Sequence, residues 1–345
     1  MFKLRYLLVA LVLLILASLT HAEPILEGVN LAGAEFAHGT FWPNTEEIEY
    51  FQSKGMNVLR LPFLWERLQP SLFGDFNAAQ LNGLDTFVTE ATNRGVHVIL
   101  DPHNYARYNG QLIGSSAVPD TAFADLWSRL ATLYQGNARV VFGLMNEPNN
   151  MSTEQWRASA NTAIAAIRAT GATNLILVPG NAWTGAHSWE QNWYGTPNAV
   201  EMLNIVDPGN NFVFELHQYF DSNFSGTSPV CVPGNGSTQL VTVTNWLRQH
   251  GYVGFLGEFA GANNADCRAA IEDALGYLEA NADVWLGWTW WAAGPEWGEY
   301  IFTLEPTNNY TVDRPQMAWL TPFLGTIFSD GFESGDVSRW SSSVD

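Results

Sequence analysis

The stretch Val140-Val-Phe-Gly-Leu-Met-Asn-Glu-Pro148 places an amide and a carboxylate directly after a short apolar run. Gly254-Phe-Leu-Gly-Glu-Phe259 repeats the pattern farther along the chain. Apolar runs of about four to eight residues, bounded by turn residues, are typical of buried strands. We therefore expect two strands that each present a glutamate, Glu147 or Glu258, at the C-terminal end.

Similar runs recur along the chain and alternate with helix-like segments. The runs are Ile25–Leu31, Asn57–Pro62, His97–Asp101, Val140–Met145, Asn174–Val178, Phe212–His217, Gly254–Gly257 and Trp285–Trp290. The helix-like segments are about Thr45–Lys54, Ala78–Arg94, Thr121–Gln135, Thr153–Thr170, Ser237–His250 and Cys267–Asn281. Such alternation implies parallel strands with crossover helices. Eight units in about 300 residues favour an α/β fold, a single-domain (β/α)8 TIM barrel, over a doubly wound sheet.

Polar side chains follow six of these runs. They are Arg60, Asp101 with His103, Asn146 with Glu147, His217 with Tyr219, Glu258, and Trp290 with Trp291. The C-terminal ends of barrel strands all face one rim, which is where a TIM barrel carries its active site. The sequence therefore predicts one functional site that these residues share.

The N-terminus has the layout of a secretory signal peptide over residues 1–22. Lys3 and Arg5 precede an apolar stretch at 7–19, and Thr20-His-Ala22 ends it with a small-x-small pattern. A membrane anchor is the alternative, but the apolar stretch is shorter than the ~20 residues that a span needs. We expect cleavage after about Ala22, no membrane attachment afterwards, and secretion, to the exterior or to a bacterial periplasm. The mature chain would then consist of a catalytic domain at 23–328 and a short polar tail at 329–345.

The amino-acid composition limits the kinds of molecule that the protein is expected to bind. The 345 residues include 34 Asp and Glu but only 15 Lys and Arg, for a net charge of −19. Nucleic acids and anionic membranes are disfavoured, because binding them requires basic side chains. The 15 Trp, 11 Tyr and 20 Phe favour flat ligands, of which sugar rings are the uncharged case.

The chain has two cysteines, Cys231 and Cys267. In an oxidising compartment an even pair is typical of one disulfide, with two free buried thiols as the alternative. The sequence contains no Cys/His cluster with zinc spacing, no Gly-x-Gly-x-x-Gly motif and no Walker loop. We therefore expect neither a metal nor an organic cofactor.

On strands four and seven, Glu147 and Glu258 would face each other across the barrel mouth. Either glutamate alone could be a surface or salt-bridged carboxylate. A pair about 5–5.5 Å apart suits glycoside hydrolysis with retention, in which one carboxylate attacks and the other carboxyl protonates the leaving oxygen. The negative nucleophile raises the pKa of its partner, which favours the acid form.

The order of several motifs resembles glycoside hydrolase family 5, close to its endo-β-1,4-glucanases (cellulases). The matching stretches cover about residues 25–325, and each is weak alone. They are Gly28-Val-Asn-Leu-Ala-Gly33, Asn57-Val-Leu-Arg-Leu-Pro-Phe63, Leu100-Asp-Pro-His-Asn-Tyr105, Asn146-Glu-Pro148, Leu216-His-Gln-Tyr-Phe-Asp221, Gly257-Glu-Phe259 and Gly287-Trp-Thr-Trp-Trp-Ala-Ala-Gly-Pro295.

The resemblance implies roles for the residues around the two carboxylates. It makes Glu147 the acid/base and Glu258 the nucleophile. Asn146 would hydrogen-bond the sugar 2-OH, a contact that strengthens in the transition state. His217 would lie near Glu147 and assist its proton cycling.

Further roles follow from the same resemblance. Arg60 and Tyr219 would orient Glu258, and Arg60 would help to keep it ionised. His103 would bind a sugar hydroxyl next to the cleavage point. The alternatives are an ordinary buried ion pair for Arg60 and a core histidine for His103.

Tryptophans and the cysteine pair complete the implied site. Trp291 would form the floor under the sugar before the scissile bond, with the adjacent Trp290 as the alternative, since only one of them can face the mouth. Trp297 is an outer-subsite platform or a packed loop residue. The family's cysteine pattern favours a Cys231–Cys267 disulfide that braces the cleft rim from the loops after strands six and seven.

We therefore predict a secreted, monomeric, retaining endo-β-1,4-glucanase that hydrolyses cellulose or related β-glucans by double displacement. The same mechanism on a β-mannan, a xyloglucan or a mixed-linkage glucan is the first alternative, because the core motifs do not fix the sugar. A non-catalytic carbohydrate-binding barrel is the second alternative, but it would be expected to lack at least one of the two glutamates.

Overall fold

A computed structural model describes residues 25–36 and 39–325, and within them eight parallel strands close into a barrel. The strands are β1 (Leu26–Leu31), β2 (Val58–Phe63), β3 (His97–Pro102), β4 (Val140–Gly143), β5 (Ile176–Pro179), β6 (Phe212–His217), β7 (Gly254–Glu258) and β8 (Trp285–Ala293). Each pairs with its neighbours in the chain, and β8 pairs with β1. The predicted TIM barrel and its eight strands are confirmed. The predicted signal peptide and C-terminal tail lie outside the described residues.

Helices connect consecutive strands on the outside of the barrel. The α-helices of the described residues are α1 (Thr45–Ser53), α2 (Trp65–Leu68), α3 (Ala78–Asn93), α4 (Asp120–Tyr134), α5 (Thr153–Ala169), α6 (Asn198–Glu201), α7 (Val241–His250), α8 (Ala265–Ala280) and α9 (Met317–Leu320). The six predicted helices correspond to α1, α3, α4, α5, α7 and α8. Between β5 and β6 the chain forms the four-residue helix α6 and three short 3-10 turns in place of a long helix. None of the helices in the described part of the chain is long and apolar enough to cross a membrane.

Local sequence explains where several helices begin. Asn44 caps α1 by accepting from the backbone N–H of Glu47, and the Glu47 carboxylate accepts from the backbone N–H of Asn44. Ser152 caps α5 and Asn264 caps α8 in the same way, each through a side-chain oxygen. Such caps satisfy the free N–H groups of the first turn and contribute about 1 kcal/mol each.

Two layers of side chains fill the barrel interior. The lower layer is apolar and consists of Leu26, Val58, Ile99, Val141, Leu177, Val213 and Phe255. Two residues farther along three of the strands lie Arg60, Asp101 and Glu215, each at most 1% exposed. Alternate residues of a strand point to the same face, so an apolar floor supports a charged layer at the C-terminal rim.

The predicted disulfide joins Cys231 to Cys267, with Cα atoms 4.9 Å apart. Cys231 lies in the long segment after β6, as expected. Cys267 belongs to the first turn of α8 and not to the preceding loop. The bridge therefore fastens an irregular segment to a helix that packs on the barrel.

Candidate active site

Arg60 lies at the centre of the charged layer and contacts three carboxylates. Its Nε is 2.9 Å from Glu215 Oε1, and its Nη1 is 3.0 Å from Asp101 Oδ2. The same Nη1 is 3.2 Å from Glu258 Oε1. Burial lowers the pKa of the Arg60 guanidinium, but the carboxylates raise it above its ordinary value. Arg60 therefore stays charged and is a fixed cation beneath Glu258.

Two amides share the remaining hydrogen bonds of Arg60. Its Nη1 donates to Asn30 Oδ1 and its Nη2 to Asn146 Oδ1, both at 2.8 Å. Asn146 Nδ2 is then directed at His103 Nε2, 3.1 Å away. Because that nitrogen accepts, His103 donates from Nδ1 to Asp101 Oδ2, 2.7 Å away. The chain of bonds fixes the orientation of the Asn146 amide and of the His103 ring.

Glu258 reaches the barrel mouth through an irregularity in β7. The register between β6 and β7 shifts just before His217, which pairs with Glu258. Gly257 is the extra residue, and a bulge of this kind redirects the side chain that follows it. Gly257 also leaves room for Glu215, since a Cβ at this position would lie 2.3 Å from Glu215 Oε1.

Tyr219 holds the second oxygen of Glu258. Its hydroxyl donates to Glu258 Oε2 at 2.8 Å, and both side chains are buried. Burial and the charge of Glu258 raise the pKa of Tyr219 well above its ordinary value. Tyr219 therefore remains a protonated donor, and Glu258 is fixed between it and Arg60.

Glu147 and His217 form a hydrogen-bonded pair next to Glu258, whose Oε2 lies 3.6 Å from His217 Nδ1. Glu147 Oε1 is 2.8 Å from His217 Nδ1, and His217 Nε2 is 3.4 Å from Glu215 Oε1. Burial lowers the pKa of His217, but Glu258 and Glu147 raise it to about 10. Burial and Glu258 raise the pKa of Glu147 against the lowering effect of His217. The site thus combines a cationic imidazole with a carboxyl group that favours the protonated form.

Glu147 and Glu258 each have an oxygen within 4.8 Å of the other's. Together with a nitrogen of His217, these atoms are the one set in residues 25–36 and 39–325 with metal-ligand spacing. The Arg60 guanidinium contacts Glu258 and would repel a metal cation placed there. The spacing instead suits two carboxyl groups that act on one bond.

Two cavities of about 460 Å³ share Tyr105, and Glu147 lines the first of them. The residues that line the first include Glu147, His217, Trp183, His187, Trp193 and Phe224. Those that line the second include His103, Trp291, Trp297, Phe36, Glu35 and Glu66. The two cavities form a cleft with aromatic side chains at both ends, which suits a chain of flat rings.

Trp291, and not Trp290, faces the cleft. Trp291 is half-buried and stacks on His103, with ring centroids 5.0 Å apart. Trp290 is fully buried, and its Nε1 donates to the carbonyl oxygen of Phe302. Trp290 is therefore removed from the predicted site, because adjacent strand residues point in opposite directions. Trp297 lines the same cavity as Trp291, and their rings meet edge to face.

Comparison with known proteins identifies the family. The family model described as cellulase (glycosyl hydrolase family 5) matches residues 21–294. The chain belongs to glycoside hydrolase family 5. It is therefore a glycoside hydrolase, and the family resemblance drawn from its motifs is confirmed.

Individual family 5 members match most of the chain. Endo-β-1,4-glucanase A of Emericella nidulans is 43% identical over 293 residues, which cover 81% of this chain and 87% of that protein. The structure of XacCel5A with cellopentaose is 50% identical and has a TM-score of 0.85, covering 87% of this chain and 99% of that one. Pseudomonas stutzeri endoglucanase Cel5A with cellobiose is 35% identical with a TM-score of 0.78, covering 87% and 92%.

Two residues of this family 5 site carried no individual prediction. Glu215 contacts Arg60 and His217, and a carboxylate two residues before a histidine on an apolar strand could have indicated it. Asn30 contacts Arg60 and donates to the carbonyl oxygen of Gly257. It lies in a motif used for the resemblance, but nothing in its local pattern distinguishes it.

Proposed function

We propose that this family 5 hydrolase is a secreted, retaining endo-β-1,4-glucanase that acts on cellulose or related β-glucans. Glu258 is the nucleophile and Glu147 the acid/base. The observation that carries the proposal is that oxygens of the two carboxylates lie within 4.8 Å of each other. An inverting enzyme needs a wider separation, because a water molecule must fit between one carboxylate and the sugar. The names of the relatives, which include endo-β-1,4-glucanases and complexes with cello-oligosaccharides, support the substrate.

In the first step the Glu258 carboxylate attacks the anomeric carbon while Glu147 protonates the departing glycosidic oxygen. The bond from the sugar to that oxygen breaks, and a covalent glycosyl-enzyme forms. Arg60 and Tyr219 hold Glu258 from two sides, which keeps the attacking oxygens in place. The raised pKa of Glu147 favours the acid form that this step needs.

At the start of the second step, Glu258 is part of an ester bond and no longer carries a negative charge. Glu147 then loses the neighbour that raised its pKa, while the contact with His217 favours its ionised form. Glu147 accepts a proton from water, the hydroxyl attacks the anomeric carbon, and Glu258 is released. Two inversions give net retention.

The cleft has a direction under this assignment. Glu147 lines the first cavity, so the leaving part of the glucan occupies that side. The sugar that becomes attached to Glu258 lies toward Trp291, whose face forms its floor, with Asn146 and His103 beside its hydroxyls. Trp297 extends the aromatic surface toward the outer sugars.

Secretion is supported by the signal-peptide pattern at residues 1–22 and by the disulfide between Cys231 and Cys267. Disulfides persist in oxidising compartments. Fractionation of a culture that expresses the full chain, with N-terminal sequencing of the released protein, tests this part of the proposal. Retention of uncleaved chain in the membrane fraction would contradict it.

The activity is tested by viscosity loss of carboxymethyl-cellulose, with galactomannan in parallel. We expect fast thinning of the cellulose derivative, a β-anomer as the first product by NMR, and loss of both in Glu258→Gln. Glu27→Gln is the matched control, because Glu27 is an equally buried carboxyl on β1 that contacts Gly325 away from the cleft. Thinning of galactomannan alone would keep the mechanism but identify a β-mannan as the substrate. If no polysaccharide of a wider panel were cleaved, a non-catalytic carbohydrate-binding protein would be favoured.

A further inference from the structure

The backbone of Glu147 adopts a conformation that side-chain-bearing residues rarely occupy. Its φ is +42°, in the left-handed region, where a residue other than glycine costs about 1–3 kcal/mol. Such a conformation persists only where neighbouring groups hold it. The carboxyl of Glu147 contacts His217 from this backbone position, so the unusual φ determines where the carboxyl lies.

Asn149 supplies one of these holding contacts. Its Nδ2 donates to the carbonyl oxygen of Glu147 at 2.9 Å, and the side chain is 5% exposed. Arg107 fixes the other end of the amide, because its Nη2 is 3.2 Å from Asn149 Oδ1 and 3.3 Å from the Asn149 carbonyl oxygen. With the amide oxygen engaged by a cation, the NH₂ group is directed toward Glu147.

Arg107 also ties this turn to a second left-handed turn. Its Nη1 donates to the carbonyl oxygen of Tyr105. Tyr105 and Ala106 have φ values of +53° and +57°, and Tyr105 lines both cavities of the cleft. One guanidinium therefore connects the turns that follow β3 and β4, on either side of the point where the cavities meet.

We propose that Asn149, supported by Arg107, is a positioning residue for Glu147. Asn149 holds the left-handed turn and thereby aims the Glu147 carboxyl at the leaving oxygen of the substrate. The inference rests on the proposed function, because it takes Glu147 as the acid. Without the amide donor, the turn relaxes toward negative φ and the carboxyl moves out of reach.

A comparison of leaving groups separates this role from a structural one. Dinitrophenyl β-cellobioside releases a phenolate that needs no protonation, whereas cellopentaose releases a sugar that does. The kcat/KM of each substrate reports only the steps through breakage of the glycosidic bond. We expect Asn149→Ala to lower kcat/KM for cellopentaose about 10–100-fold, with little change for the dinitrophenyl substrate. Equal losses on both substrates would overturn the inference.

Two controls make the result interpretable. Asn174→Ala removes an equally buried amide that donates to the Val140 carbonyl oxygen at the base of β4. It should lower the melting temperature without changing the ratio of the two kcat/KM values. Glu147→Gln gives the largest expected ratio. If Glu147→Gln does not discriminate between the substrates, the assignment of the acid fails; if only Asn149→Ala fails to discriminate, the positioning role fails.

Arg107→Lys is the second variant, in case Asn149→Ala does not fold. It keeps the charge but cannot contact Asn149 and Tyr105 in the same fork geometry. We expect the same selective loss on cellopentaose, smaller than in Asn149→Ala. An unchanged ratio in this folded variant would also count against the role of the Arg107–Asn149 contact.

Discussion

Arg60 Nε lies 2.9 Å from Glu215 Oε1 in the charged layer of the barrel, and both side chains are at most 1% exposed. Glu215 also contacts His217 Nε2 from below. Burial raises the pKa of Glu215, but Arg60 and His217 lower it below its ordinary value. Glu215 is therefore a permanent buried anion that holds the two cations beside Glu258 and Glu147.

Replacement of Glu215 by glutamine tests this arrangement. The change keeps the size and removes the charge, so Arg60 and His217 lose their shared partner. Breaking a buried ion pair costs about 3–5 kcal/mol, and we expect the free energy of unfolding in urea to fall by about 3 kcal/mol. We also expect kcat to fall at least tenfold, because a shift of the nucleophile or acid by about 1 Å has large kinetic effects.

Glu201→Gln is the matched control for Glu215→Gln. Glu201 pairs with Arg157 at 2.6 Å and is largely buried, but it lies on α6 outside the barrel. This variant should lose stability and retain kcat. Equal kcat in Glu215→Gln and the wild type would show that the charge of Glu215 does not contribute to the site.

The pH dependence of activity gives the second prediction. The first step needs protonated Glu147, so activity falls as pH rises through the pKa of Glu147, which lies above its ordinary 4.5. His217 lowers that pKa by its hydrogen bond and its charge. His217→Gln removes the charge, so the pKa of Glu147 rises further. The alkaline limb of kcat/KM should therefore move to higher pH.

The profile is measured with cellopentaose in wild type, His217→Gln and His250→Gln. His250 ends α7 and is exposed, so its replacement should leave the alkaline limb in place. A limb that moves to lower pH in His217→Gln would contradict the assignment, because it would mean that His217 favours the protonated form of Glu147.

The barrel can be predicted from the sequence because its signals are local. Apolar runs with helices between them specify the strands, and polar residues after each run specify the rim. The local pattern does not show which of Trp290 and Trp291 faces the cleft. Adjacent residues of a strand point to opposite faces, and which of these faces is turned toward the core depends on the fold. The role of Gly257 depends on a one-residue change of register between β6 and β7. The importance of Glu215 depends on contacts with β2, which is distant in sequence.

The disulfide gives the third prediction. Cys231 and Cys267 are 36 residues apart, and closing a loop of that length in the unfolded chain corresponds to about 3–4 kcal/mol. The double variant Cys231→Ser/Cys267→Ser should lose about that much free energy of unfolding in urea. Reductant should destabilise the wild type by a similar amount and have no effect on the double variant. Destabilisation of both by reductant would point to another cause.

The adjacent residues Trp290 and Trp291 give the fourth prediction. Replacement of Trp290 should mainly reduce stability, whereas replacement of Trp291 should mainly reduce catalytic efficiency. Trp290 is packed in the core beside Phe259, so Trp290→Ala should lower the free energy of unfolding by about 3–5 kcal/mol. Trp291 presents its face to the cleft. Trp291→Ala should therefore lower kcat/KM for cellopentaose at least tenfold, which is about 1.4 kcal/mol, with a much smaller effect on stability.

Urea unfolding and steady-state kinetics on both variants check this contrast. The Trp290→Ala protein should keep most of its kcat per folded molecule, because the removed ring contacts the Phe302 carbonyl and not the cleft. Trp291→Phe provides an intermediate case, since it keeps an aromatic face above His103 and should recover part of the lost kcat/KM. If Trp290→Ala instead impaired kcat/KM as strongly as Trp291→Ala while remaining folded, the division between core and cleft along β8 would be wrong. The sugar before the scissile bond would then depend on the whole strand end and not on one exposed ring.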